Sequence, residues 1–244
     1  MKPEILTKLE ALGYATFSGQ YDLNLIGVRS DIQAPNKFND KFYIVYQDNG
    51  KWVTHIFPFT SLAGKYWLNN PSRAAGCAIL VHDKQYRSAY KLGLHRGYEA
   101  LQQVGEVEVW RDDNRDDIAD YDCPVESGWF GINIHRASRD RTSNEIGRHS
   151  AGCQVLASPS HFSILIDLVK KQKLAGLGDV CSYTLIKQST LEGSPSCPVE
   201  ESKSPSKSRK QSSPSSSKPS KKSTKPRARK AKAAPKSRKK KGEK

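Results

Sequence analysis

The chain has 244 residues, and its charge is unevenly distributed along it. Residues 202–244 contain 18 Lys or Arg and one acidic residue, a net charge of +17, whereas residues 1–201 contain 22 basic and 24 acidic residues, a net charge of −2. These values predict a near-neutral globular body followed by a cationic segment, and they exclude an interpretation of the whole chain as a basic protein. No apolar run reaches the roughly 18 residues of a transmembrane helix, so none is predicted.

The first residues, MKPEILTKLEALGYATF, lack the continuous apolar segment of a signal peptide and contain Glu4, Lys8 and Glu10. We therefore expect no signal peptide, and synthesis in the cytoplasm. The five cysteines are then most simply free thiols in a reducing compartment, and their odd number suits a disulfide framework poorly. The apolar spacing over residues 4–12 predicts a short amphipathic helix that ends at Gly13.

The region from Gly13 to about residue 157 is dominated by segments typical of β-strands. They are rich in Val, Ile and aromatic residues and are separated by turn-forming clusters such as Asp48-Asn49-Gly50, which predicts a hairpin. The segment GLHRGYEALQQVG (93–105) is expected to form a short helix between strands. The predicted strands are LNLIGVR (23–29), KFYIVYQD (41–48), KWVTHIFPF (51–59), CAILV (77–81), EVEVWRD (106–112) and FGINIH (130–135).

Two further elements complete the folded part. SPSHFSILIDLVKKQ (158–172) predicts a helix with Ser158 at its N-cap. Its apolar stripe consists of Phe162, Leu165, Ile166 and Val169. CSYTLIKQ (181–188) predicts a last strand. We therefore expect one mainly β domain with a few short helices over residues 1–190.

The Lys/Ser/Pro-rich segment 191–244 is predicted to be a disordered basic tail. From residue 202 onward it contains no aromatic or β-branched aliphatic residue, so it cannot bury enough apolar surface to offset the entropy of ordering. Its charge suits binding to a nucleic acid or to an anionic cell-wall polymer such as a teichoic acid. A solubilising or targeting extension without a specific partner explains the same composition equally well.

The stretch HSAGCQVL (149–156) places Cys153 between a Ser-Ala-Gly run and an apolar run. Gly152 allows a tight turn, and the backbone amides beside Cys153 could then hold a developing oxyanion. His135 ends the predicted strand FGINIH, 18 residues before Cys153. An imidazole beside a thiol generates the thiolate that attacks a carbonyl carbon. The pattern therefore predicts Cys153 as a nucleophile and His135 as its base.

The segment IHRAS…RHSAGCQV resembles the active-site region of the L,D-transpeptidase (YkuD-like) catalytic domain. That family carries a His on a strand, usually followed by Gly, and then a Ser-His-Gly-Cys motif. Ser150 and Gly152 match the Ser and Gly of this motif. Arg136, Ala151 and Val155 stand where the family commonly has Gly, His and Arg.

The wider sequence is similar to an uncharacterised branch of phage and bacterial proteins, over roughly residues 20–175. The matching segments are NLIGVRS (24–30), FND (38–40), GLHRG (93–97), WRDDN (110–114) and GINIH (131–135). The resemblance implies a β-rich domain that modifies peptidoglycan stem peptides through a cysteine acyl-enzyme, without a metal or other cofactor. It is also compatible with a phage-encoded protein that a holin or a virion delivers.

Four further residues are candidates for substrate binding. Ser150 belongs to the matched motif, and Arg136 and His149 are candidates to replace its missing polar groups. His95 lies in GLHRG, where lining a substrate groove and lying on a surface loop are equally expected.

Three other interpretations of this region remain open. The first is that Cys153 is a small buried thiol, the usual role of a cysteine. The second is a zinc site of Cys123, His135, His149 and Cys153, although their spacing lacks the close pairs of strong zinc motifs. The third is a non-catalytic, degenerate copy of the domain, which its basic tail attaches to nucleic acid or to an anionic surface.

Overall fold

The computed structural model describes residues 1–34, 36–121 and 124–193. These residues form a mainly β fold with a few short helices, as the sequence predicted. The strands are β1 (Asn24–Arg29), β2 (Asp40–Asp48), β3 (Lys51–Thr60), β4 (Cys77–Leu80), β5 (Lys84–His95), β6 (Tyr98–Gln103), β7 (Val107–Asp112), β8 (Val125–Gly128), β9 (Ile134–Arg136), β10 (Gln154–Leu156) and β11 (Val180–Lys187). The helices are α1 (Glu4–Ala11), α2 (Lys65–Asn69), α3 (Pro159–Gln172) and α4 (Gln188–Glu192).

Eight of the strands close into a barrel in the order β1-β11-β5-β6-β9-β10-β3-β2. Two neighbouring pairs, β1 with β11 and β9 with β10, run in parallel, and the other pairs are antiparallel. The remaining strands form a separate antiparallel sheet in the order β4-β7-β8. Because β9 and β10 are three residues long and parallel, the backbone around them depends on contacts from the loops on either side.

The β2–β3 hairpin has the turn that the sequence predicted. Asp48 pairs with Lys51, and the two residues between them, Asn49 and Gly50, have φ values of +49° and +73°. Positive φ at both central positions is the geometry that matches the twist of the flanking strands. Asn and Gly adopt it at low cost, which fixes the register of this long hairpin.

The predicted helix over residues 93–105 is wrong. This segment is the end of β5, a two-residue turn, and all of β6, with His95 paired to Tyr98. The turn residues Arg96 and Gly97 have φ values of +49° and +84°, so they form the same class of tight turn as in the first hairpin. The residues of YEALQQ favour a helix locally, but the segment forms a strand because pairing within the barrel buries several of its side chains.

Helix α3 packs its predicted stripe against the barrel. Phe162, Leu165, Ile166 and Val169 are all buried, in one cluster with barrel residues such as Phe42 and Tyr183. Ser158 is at the N-cap position but makes no capping bond, since its hydroxyl lies 2.8 Å from the Ser160 hydroxyl instead. The predicted helix over 4–12 and the predicted last strand correspond to α1 and β11.

Helix α4 ends at Glu192, and the predicted tail lies outside the described residues from residue 194 onward. Among the helices in the described part of the chain, none is long and apolar enough to cross a membrane.

Candidate active site

The turn before β10 is built around a hydroxyl and a glycine. Ser150 is fully buried, its hydroxyl donates to the Cys153 carbonyl oxygen over 2.8 Å, and the Gly152 N–H donates to that hydroxyl over 3.2 Å. Gly152 has φ +118°, and a Cβ at this position would lie 2.1 Å from the Ala78 carbonyl oxygen. The position therefore requires glycine, for its backbone angle and for its contact with β4. Ser150 is part of this turn and has no surface with which to contact a substrate.

The Cys153 thiol is half-buried and hydrogen-bonded on both sides. The Asn133 N–H donates to Sγ over 3.5 Å, and the thiol donates to the Gly131 carbonyl oxygen over 3.6 Å. Burial raises the pKa of Cys153, and the Asn133 N–H and the Arg96 charge offset this only in part. The resting side chain is therefore a neutral thiol at neutral pH.

His135 lies on the same side of the sheet as Cys153. It pairs with Val155 across the parallel strands β9 and β10, and Asn133 lies beside Cys153 one step earlier in the register. Because side chains alternate along strands, residues 133, 135, 153 and 155 project from one face. Within the described residues, His135 and Cys153 do not share a direct hydrogen bond, since both bonds of the thiol go to backbone groups.

The hydrogen bonds of His135 define its tautomer. Nδ1 lies 2.9 Å from the Arg136 carbonyl oxygen, which can only accept, so Nδ1 carries the proton and Nε2 carries the lone pair. The Tyr98 hydroxyl lies 3.3 Å from the same Nδ1. Burial lowers the pKa of His135 to about 4, and the nearby His95, Arg96 and His149 lower it further. His135 is therefore a neutral imidazole with a lone pair available on Nε2.

A second imidazole stacks on the first. The His95 and His135 rings lie 4.6 Å apart with an interplanar angle of 17°. The Asn133 side chain holds His95 in place, with Nδ2 lying 3.1 Å from His95 Nδ1. The Asn133 amide cannot be reversed, because its Oδ1 accepts from the Gln103 N–H over 2.9 Å. Nδ2 is thus the donor, His95 Nδ1 the acceptor, and the His95 proton is on Nε2.

Gln103 organises the loop that carries the thiol's acceptor, Gly131. Its Nε2 donates to the carbonyl oxygens of Gly105 and Gly128, both over 2.9 Å. Its Oε1 accepts from the N–H groups of Phe130, over 3.2 Å, and Ile132, over 3.0 Å. One side chain thereby satisfies four backbone groups, three of them within residues 128–132, and this fixes the Gly131 carbonyl group against Cys153.

Cys153 opens onto a cleft of about 160 Å³. Its walls include Trp67 and Phe130, and two of its lining residues, Arg73 and Arg111, are basic. Cys77 is a second thiol in the cleft wall, where burial and, to a smaller extent, the Asp112 carboxylate raise its pKa to about 12. Cys153 is the less buried of the two cleft thiols, and the two are distinguishable by reactivity.

The remaining predicted residues surround this site. The Arg136 guanidinium lies 4.1 Å from the centre of the Tyr98 ring. His149 is exposed, and its pKa is lowered by partial burial and by the Arg141 charge. Val155 is fully buried, so the position where the family commonly carries an arginine does not reach the cleft in this chain.

Sequence reasoning missed Asn133, Tyr98 and Gln103. Asn133 had a signal: it is the polar residue between Ile132 and Ile134 in GINIH, two positions before His135 and so on the same face of the strand. Gln103 and Tyr98 had none, because both were assigned to a helix that does not form.

The zinc interpretation receives no support from the described residues, in which no three His, Cys, Asp or Glu side chains are grouped so that they could hold a metal ion. Cys123, the fourth proposed ligand, lies outside them. In comparisons with protein-family models, curated proteins and solved structures, nothing matches this chain.

Proposed function

We propose that this chain is a cysteine-dependent acyltransferase or peptidase of the L,D-transpeptidase type, acting on peptidoglycan stem peptides. The observation that supports it best is the arrangement of Cys153, Asn133 and His135 on one face, with the thiol open to a cleft. The substrate class rests on the sequence resemblance alone.

The reaction starts from the neutral thiol and the neutral imidazole. The thiol hydrogen turns from the Gly131 carbonyl oxygen towards His135, and Nε2 accepts the proton as Sγ attacks the amide carbonyl carbon. The C–N bond then breaks, His135 returns the proton to the leaving amine, and a thioester forms on Cys153. Water or an amine attacks the thioester carbonyl carbon, the C–S bond breaks, and the proton that the nucleophile loses passes through His135 to the departing sulfur and restores the thiol.

The backbone of the turn limits which amides can hold the oxyanion. The Gly152 N–H is bonded to the Ser150 hydroxyl, so the turn itself uses it. The Cys153 N–H forms no hydrogen bond with any described residue. It is the donor that we assign to the oxyanion.

The test is incubation of the purified protein with peptidoglycan fragments, followed by mass spectrometry. We expect cleavage or exchange of stem peptides that both Cys153→Ala and His135→Gln abolish. Cys77→Ala is the matched control, since this thiol lines the same cleft but its pKa is about 12. Iodoacetamide should also label Cys153 faster than Cys77. Identical fragment patterns for wild type and Cys153→Ala, with equal labelling rates, would contradict an enzymatic function.

A second proposal concerns the basic segment 202–244. Its net charge of +17 favours binding to a polyanion, either nucleic acid or a teichoic-acid-like polymer. The non-catalytic alternative, in which a degenerate domain is attached to such a polymer, is favoured by the absence of a direct His135–Cys153 hydrogen bond in the described structure. Deleting residues 202–244 should remove salt-sensitive binding to DNA or teichoic acid and leave the chemistry at Cys153 unchanged. Unchanged polymer binding would refute this second proposal.

A further inference from the structure

Lysines and arginines differ in their ion pairing across the described part of the chain. Nine of its twelve lysines lie within 4.0 Å of an Asp or Glu carboxylate, but only two of its ten arginines do, Arg111 and Arg139. The lysines are therefore largely neutralised by the protein itself. The other eight arginines have no carboxylate within 4.0 Å among the described residues, and their location decides what their charge can do.

Five arginines without such a carboxylate partner in the described structure surround the candidate active site. We call them the arginine face: Arg73, Arg96, Arg136, Arg141 and Arg148. Arg73 lines the cleft beside Cys153. The Arg148 carbonyl oxygen accepts from the indole N–H of Trp67, another cleft residue, over 3.1 Å.

The other three members border the histidines. Arg136 follows His135 directly and stacks on Tyr98, whose hydroxyl lies 3.3 Å from His135 Nδ1. Arg96 forms the turn after His95, and its charge lowers the pKa of both Cys153 and His135. The Arg141 charge lowers the pKa of His149.

Aromatic rings hold two of these guanidinium groups. Arg148 lies 3.8 Å from the centre of the Tyr66 ring and Arg136 lies 4.1 Å from that of Tyr98. A guanidinium stacked on a ring is oriented through its flat face, so the N–H groups along its edge remain available to an anion. Such an edge matches the two oxygens of a carboxylate, and little side-chain freedom is lost on binding.

The described residues that line the cleft include no Asp or Glu, so they give it no carboxylate of its own. Its walls combine apolar side chains such as Trp67 and Ile132 with the basic Arg73, and Arg111 in the same wall is ion-paired with Glu126. Separate guanidinium groups around a narrow cleft with apolar walls suit a peptide with discrete carboxylates. A nucleic-acid site would instead offer a continuous track of contacts to phosphates.

We propose that the arginine face recognises carboxylates of an acidic peptide on either side of the bond that Cys153 attacks, so that amidation of these carboxylates abolishes recognition. This inference rests on the proposed function for its account of the reacting bond. Recognition itself can be measured without any turnover.

The first experiment compares two small alkylating reagents on the full-length protein. Iodoacetate carries a carboxylate and iodoacetamide is its neutral amide, so the ratio of their rates at Cys153 reports the local field independently of thiol ionisation. We expect this ratio to be at least about tenfold higher than for free cysteine, as electrostatic steering permits. Mass spectrometry of the peptide containing Cys153 separates its labelling from any effect of the basic segment 202–244.

Arginine substitutions show which side chains raise the ratio of the two alkylation rates at Cys153. Arg136→Gln with Arg148→Gln should lower the rate ratio towards the value for free cysteine. Arg87→Gln is the matched control, because Arg87 also lies near a ring, 5.4 Å from that of Phe17, and also has no carboxylate partner within the described residues. It should leave the ratio unchanged. Thermal melting of each variant confirms that the fold is retained.

The second experiment uses protection of Cys153 from iodoacetamide. A short peptide with free carboxylates should protect the thiol at concentrations at least about tenfold below those needed with its amidated counterpart. Equal protection by both peptides, or a rate ratio equal to that of free cysteine, would overturn the proposal. So would equal protection by a DNA oligonucleotide, or a thiol that reacts with neither reagent. Charge selection at Cys153 without any peptidoglycan chemistry would refute the proposed function and leave this inference intact.

Discussion

The β2–β3 hairpin and the turn before β10, which carries Cys153, are stabilised by different kinds of contact. In the hairpin, nine consecutive residue pairs join the two strands, and one two-residue turn sets the register. Around Cys153 the strands are three residues long, and the geometry depends on single side chains that reach across the sequence, such as Gln103 to residues 128–132. The hairpin is stabilised by many equivalent backbone pairs, whereas the site depends on a few individual side chains. Matched substitutions should therefore lower the free energy of unfolding by different amounts in the two regions.

The largest difference in stability loss is expected between alanine substitutions at two glycines. Gly152→Ala places a Cβ 2.1 Å from the Ala78 carbonyl oxygen at φ +118°, whereas Gly50 has φ +73° and a Cβ added there would have no other group within 4 Å. We expect Gly152→Ala to lower the free energy of unfolding by about 4 kcal/mol, and Gly50→Ala by about 1 kcal/mol. Urea denaturation measures both values. Equal losses would show that the contact with β4 relaxes without cost.

A smaller difference in stability loss is expected between alanine substitutions at two glutamines. Gln103→Ala leaves the amides of Phe130 and Ile132 and two carbonyl groups without partners, which we expect to cost about 3 kcal/mol in unfolding free energy. Gln47 on β2 is half-buried, and its side chain makes no hydrogen bond to the described residues. Gln47→Ala should therefore cost less than about 1 kcal/mol. Chemical denaturation with both variants tests the difference, and similar costs would refute the role of Gln103.

The pH dependence of stability should differ between two histidines. His135 has a folded pKa of about 4, below its ordinary value of 6.5. As the pH falls from about 6.5 to 4, the unfolded chain binds a proton that the folded chain does not, so up to roughly 3 kcal/mol of stability is lost over this window. His135→Phe should remove this loss. His55→Phe on β3 should remove a smaller part, because the half-buried His55 has a pKa lowered by burial alone. Parallel pH profiles for wild type and His135→Phe would contradict the assignment.

The smallest effect is a change of tautomer at His95. In Asn133→Asp a carboxylate oxygen replaces the amide nitrogen beside His95 Nδ1, so the proton should move to Nδ1 and the pKa of His95 should rise. Nitrogen chemical shifts of the imidazole report both changes. Asn49→Asp, in the turn of the hairpin, is the control and should leave His95 unchanged. A proton that stays on Nε2 would disprove the hydrogen-bond assignment.

Hairpins and amphipathic helices were predictable because local residues determine them. Asn49-Gly50 encodes its turn directly, and the apolar stripe of α3 has the helical period. The β5–β6 hairpin was not, since Arg96-Gly97 is an unusual pair for a tight turn and the segment around it contains helix-forming residues.

The site was predictable in part. Cys153 and His135 could be chosen from the spacing and the resemblance, and the structure places them on one face. The Asn133–His95 contact and three of the four side-chain bonds of Gln103 join residues 25 or more apart in sequence, through a register that no local pattern specifies. The arginine face could not be predicted either, because the contacts that decide which arginines have a carboxylate partner form only when the chain folds.

The parallel pairing of β1 with β11 also determines when the barrel can close during folding. Leu25 is matched with Tyr183, so the barrel is closed by strands from opposite ends of the described chain. Contacts of such long range form late and slow folding, because the entropy of a large loop must be lost first. On the ribosome the barrel therefore stays open until residue 187 has emerged from the exit tunnel.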